Sequence, residues 1–179
     1  MVPSTKSVLK HFDSASEEIK RYFQHLPAIV TSFPWEVAIA YQFIRVEQAQ
    51  NRALYGGAVK LHRADAELAG SMLDSLHITR GSFLTHYETV FGQPIPPSTV
   101  TKLKFAENIR DKTVHGKAVS DADFRQAVVD VIDYAASLND HVGSVAGFKP
   151  FGDMRGFKGA AQPLEKATTR WLLKGLLSS

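Results

Sequence analysis

Between positions 110 and 116 the chain reads Arg110-Asp111-Lys112-Thr113-Val114-His115-Gly116, which places a permanent cation and a titratable base in one short stretch. Arginine presents a planar fork of donors that matches a phosphate group, and histidine is the side chain whose unperturbed pKa lies nearest neutrality. Together they have the chemistry to bind a phosphodiester and to move the protons that its cleavage requires. Asp111 adds an acceptor able to orient either of them. The same residues also have a purely structural use. Arg110 near a helix C-terminus complements the helix dipole, Asp111 can pair with Lys104 or Lys117, and His115 can cap terminal carbonyls.

No other group of residues offers a comparable motif. The chain has no cysteine, which excludes a disulfide framework, cysteine-based zinc sites and thiol chemistry. His62, His77 and His86 lie in a stretch with neither an HExxH nor a Glu-x-x-His pattern, so no metal is expected, and no cofactor. Glu36 and Glu47 read as solvent-facing. Gly56-Gly57 lacks the Gly-Lys-Ser/Thr ending of a phosphate loop.

The elements that must position residues 110–116 read as helices. The length of 179 residues fits one domain, and 44% hydrophobic with 22% charged residues is ordinary globular composition. Apolar residues recur at spacings of three and four with no sustained alternation, which predicts an all-α bundle of about five main helices over residues 1–146. The first is expected from Ser14 or Ser16 to Leu26. The second follows Pro34 and ends at Gly56-Gly57, and a long third spans 60–91 with weak points at Gly70 and Gly81. A fourth, from about Ser98 to His115, leaves Gly116 for the left-handed terminal position. The fifth opens at Ser120 and buries Phe124, Ala127, Val128, Val131, Ile132, Ala135, Leu138 and Val142. Only Gly116 to Val119 separate the fourth and fifth helices, so they should be antiparallel neighbours with the Arg110 to Gly116 stretch near the tip of their hairpin.

Residues 147–179 change character, forming a glycine-rich basic arm and then a short helix from about Pro163 to Leu177. Lys149, Arg155, Lys158, Lys166, Arg170 and Lys174 against Asp153 and Glu165 give this segment +4, leaving −1 for residues 1–146 out of the +3 total. Phe148, Phe151 and Phe157 are interleaved with the cations. They either stack nucleobases while the cations follow phosphates, or anchor the arm to its own bundle or a second subunit. No apolar run is long enough to span a bilayer, and the N-terminal residues lack a signal-peptide pattern, so a soluble, cytoplasmic protein without membrane contact is expected.

The layout, and most closely residues 98–142, resembles the HEPN superfamily of all-α domains. Its catalytic signature is Arg, a polar residue, three variable residues and His on a helical hairpin, matched here by Arg110, Asp111 and His115, with Gly116 a frequent companion. The resemblance implies a homodimer whose facing hairpins form one metal-independent endoribonuclease site. In that site His115 from each copy acts as general base or general acid, Arg110 stabilises the charged transition state, and Asp111 supports them. Lys112 and Lys117 beside the motif, and Lys149, Arg155 and Lys158 on the arm, are the expected RNA contacts. A toxin or defence role with an antitoxin protein as partner is implied. The alternative is a non-catalytic dimeric module of the same kind that binds a nucleotide, RNA or a protein.

Overall fold

The computed structural model describes residues 3–76 and 78–177, the Arg80 side chain excepted, and His77 lies outside them. Among the described residues the chain is all-helical: α1 (Thr5–Ser14), α2 (Glu17–Tyr22), α3 (Leu26–Ser32), α4 (Trp35–Leu61), α5 (Ala66–Asp74), α6 (Arg80–Phe91), α7 (Pro97–Val114), α8 (Asp121–Ala146) and α9 (Lys166–Leu177). The expected first helix corresponds to α2, and α1 precedes it. Ser4 starts α1 by accepting from the Ser7 amide at 3.2 Å, and Val8 and Phe12, four apart, are its buried face.

The long helix expected over 60–91 is interrupted twice. α4 closes after Leu61, where Arg63 takes a left-handed φ of 60° and the Ala64 amide donates to the Ala58 carbonyl at 3.0 Å. Asp65 then caps α5 through the Leu68 amide, and a Thr79–Ser82 capping box starts α6. The apolar spacing across 60–91 holds only in part: Ala64, Phe83, Tyr87 and Val90 are buried, Leu68 and Met72 are half-buried, and Leu61 and Leu76 are exposed, so the breaks turn the buried face from one helix to the next. The capping residues mark the true starts.

Two compact units account for the packing. One comprises Met1–Glu47 with Pro96–Asn139, the other Gln48–Ile95 with Asp140–Ser179, so α4 and α8 contribute to both. In the first, the buried Gln42 amide donates from Nε2 to the Val128 carbonyl at 3.1 Å, joining α4 to α8. The Arg45 guanidinium lies over the Tyr22 ring and donates to the Tyr22 carbonyl at 2.9 Å. All eight apolar residues expected on the buried face of α8 are buried.

In the second unit α9 packs on α5 and α6, and residues 147–179 belong to this unit rather than forming one of their own. Gly56 and Gly57 do not end α4. They lie inside it as points of close approach: a Cβ on Gly56 would fall 2.4 Å from two ring carbons of Phe148, and one on Gly57 would fall 2.4 Å from Val90. Phe148 and Phe151 are buried, and Phe157 packs edge-on to Phe148. The arm's aromatic residues are therefore anchors, and bases do not have access to the faces of Phe148 and Phe151.

This unit also holds two imidazoles in apolar surroundings. His86, and His141 stacked beside the Tyr87 ring, have no partner for Nδ1 and Nε2 respectively, and burial lowers the pKa of both below the usual 6.5. Each is thus neutral in the folded protein and takes up a proton more readily once unfolded. Their contribution is whole above pH 6.5 and is lost as pH falls from there through the lowered folded values. Urea midpoints should fall between pH 7.5 and 5, with a smaller fall in His141→Gln.

Candidate functional site

The expected hairpin is present. Pro97 begins α7 at the first helical position, where its missing amide proton is not needed. Leu103, Ala106 and Ile109 fix the buried face of the helix. Its end is built by Gly116, whose φ is +66°: the Gly116 amide donates to the Thr113 carbonyl at 3.0 Å and the Lys117 amide to the Lys112 carbonyl at 2.8 Å. This paired arrangement is a Schellman terminus, with His115 at the cap position. Ser120, accepting from the Asp123 amide at 3.1 Å, then starts α8.

Arg110 points from α7 toward α4. Its guanidinium carbon stands 5.0 Å from the Phe43 ring centroid, one of its terminal nitrogens is 3.2 Å from a Glu47 carboxylate oxygen, and it also reaches Asp111 at 3.2 Å. Glu47, expected to be simply solvent-facing, is an orienting partner of Arg110 that the sequence reading missed. The two lie 63 positions apart, and only their fold places them together. Phe43 and Glu47, four apart on α4, share a helix face, which is the one local sign that a cation over Phe43 would also meet Glu47.

The Arg110 side chain is 38% exposed and both carboxylates are 59% exposed. Exposed ion pairs contribute about 0–1 kcal/mol each, and a cation over a ring at such a site about 0.5–1 kcal/mol. These contacts orient the guanidinium without closing it off. A phosphate bound in bidentate fashion makes charge-assisted hydrogen bonds of greater strength and can displace or share the carboxylates.

His115, Asp111, Lys112 and Lys117 are exposed. Five residues along an ideal helix turn through about 140°, so Arg110 and His115 leave α7 in different directions. Arg110 turns inward to α4, whereas His115 stands at the exposed end of the helix. Residues 110–117 belong to the first unit. Lys149, Arg155 and Lys158 are exposed members of the second, where Arg155 donates to its neighbour Asp153 from Nε and a terminal nitrogen. His62 lies between α4 and α5 and approaches the Val90 carbonyl at 2.6 Å. Among the described residues no three His, Asp or Glu side chains gather as a metal site, and no helix is long and apolar enough to cross a membrane. Compared with protein-family models, with curated proteins and with solved structures, the chain matches none.

Proposed function

We propose that this chain is a metal-independent endoribonuclease of the HEPN type, acting as a homodimer. The observation that supports it most is the presence of an oriented, partly exposed Arg110 and an exposed His115 at the Schellman-capped end of one helix. In this reading the ribose 2′-hydroxyl attacks the adjacent phosphorus after giving its proton to one His115. The bond to the 5′-oxygen breaks, and the leaving oxygen takes a proton from a second, protonated His115. Arg110 neutralises charge that builds on the phosphoryl oxygens. The products are a 2′,3′-cyclic phosphate and a 5′-hydroxyl. Because one copy supplies one His115 and sends Arg110 and His115 in different directions, a two-fold partner is what completes the site. The same reading implies a cytoplasmic protein in a toxin or defence role with an antitoxin as its protein partner.

One observation favours a second reading, a non-catalytic dimeric module that binds RNA, a nucleotide or a protein: the Arg110 guanidinium already meets two carboxylates. Incubating the purified protein with mixed RNA in excess chelator separates the two. The ribonuclease yields fragments with cyclic phosphate ends, while a dimer mass by light scattering is expected of both readings and a monomer counts against the composite site. Intact RNA across structured and single-stranded classes selects the binding module.

A further inference from the structure

The helix at the end of the chain carries a feature that the cleavage site does not use. The buried residues of α9 are Thr169, Leu173, Leu176 and Leu177. Trp171 is 80% exposed. An indole is the largest apolar side chain a protein can leave in water, and this one stands on a helix already held in place from the opposite face. Thr169 accepts the Asp65 amide at 2.9 Å, and α9 packs on α5 and α6. The positions one turn to either side of Trp171 are small: Ala167 precedes it by four residues, and Gly175 follows it by four with open space around the position a Cβ would take. The neighbours four residues away on either side of the indole are therefore short.

The charges that α9 itself carries have one sign. α9 contains Lys166, Arg170 and Lys174 and no acidic residue. Lys166 is paired with Glu67 at 2.6 Å. Lys174, three residues on from Trp171 and four from Arg170, adjoins both on the helix surface. The patch is thus an aromatic platform with cations alongside, which matches a repeating unit of flat base and anionic phosphate. It matches a lipid surface poorly, because an interfacial helix inserts a broad apolar face, and the apolar face of α9 is buried on α5 and α6.

We propose that Trp171 is a stacking platform for a base of single-stranded RNA, with Arg170 and Lys174 engaging the flanking phosphates. The choice of RNA rests on the ribonuclease reading; the stacking surface itself does not. The probe is a 2′-O-methyl oligouridine labelled with fluorescein, which lacks the attacking hydroxyl, so binding is read whether or not the protein cleaves. Anisotropy should show saturable binding that weakens about 5- to 150-fold in Trp171→Ala, the usual range for one stacked base, and much less in Trp171→Phe. Arg170→Gln combined with Lys174→Gln should lower the salt slope by about 1.4, the value for two phosphate contacts on a single strand. In Trp35→Phe, where Trp171 is the one remaining indole, emission should be quenched on binding. Equal affinity of wild type and Trp171→Ala overturns the proposal, as does no binding at low salt. A blue shift with phosphatidylserine vesicles but not with the oligonucleotide transfers the surface to lipid. Loss of RNA cleavage in His115→Ala with the oligouridine affinity intact leaves this proposal standing and tests only the catalytic site.

Discussion

Arg110→Ala and His115→Ala should each lower RNA cleavage by about 10²- to 10⁴-fold while leaving the helical circular dichroism intact, with the urea midpoint unchanged in His115→Ala and modestly lowered in Arg110→Ala. The separation of activity from stability follows from where the side chains sit. His115 is exposed, and the Schellman bonds that end α7 run through the backbone amides of Gly116 and Lys117, so truncating the imidazole removes none of them. Arg110 gives up a ring contact worth about 0.5–1 kcal/mol and two exposed ion pairs worth about 0–1 kcal/mol each, a modest loss of stability beside the loss of activity. Glu47→Gln serves as the internal control, because it loosens the orientation of Arg110 without removing its charge, and its effect should be well below that of Arg110→Ala. Full cleavage by His115→Ala protein eliminates the acid–base role and returns Arg110 to a structural one.

What was legible in the sequence was local. Gly116 after His115 signalled a left-handed terminus, Ser120 signalled a cap, and the spacing from Phe124 to Val142 gave the buried face of α8. Each of these depends on residues within a turn or two of one another, where spacing and side-chain chemistry decide the outcome. The Arg110–Glu47 pair and the placement of Arg110 over Phe43 depend on how α7 meets α4, and nothing in either segment alone encodes that meeting. The same limit explains Trp171. An apolar residue at helical spacing reads as core, yet the helix is rotated so that Leu173 and Leu176 are inside and the indole is out.

The glycine pair at 56 and 57 was misread for a related reason. Glycine lowers helix stability by about 1 kcal/mol relative to alanine, so two in succession look like an end. In the folded chain α4 runs through both, because the space left by their missing side chains is occupied by Phe148 at one and by Val90 and Phe91 at the other. The arm is therefore keyed into α4. Removing residues 147–179 would strip Phe148, Phe151 and Leu173 from the second unit, and such a truncation would report lost packing rather than lost RNA contacts.

The fit between Gly56 and Phe148 makes a prediction about sign as well as size. Phe148→Ala removes a buried ring and should cost about 3–5 kcal/mol, lowering Tm by on the order of 10 °C for a chain of this size. Gly56→Ala in the wild type should also destabilise, because overpacking a core typically costs about 1–3 kcal/mol and the Phe148 ring, held edge-on by Phe157, must move to admit the methyl group. In the Phe148→Ala background the obstacle is gone. There Gly56→Ala should stabilise by up to about 1 kcal/mol, since only the helix-propensity gain remains. The reversal of sign, with a coupling on the order of 1–4 kcal/mol in a double-mutant cycle from urea unfolding, is what direct contact between the two positions requires. If Gly56→Ala destabilises equally in both backgrounds, the glycine answers to the backbone of α4 and not to the ring, and the account of how the arm is held fails.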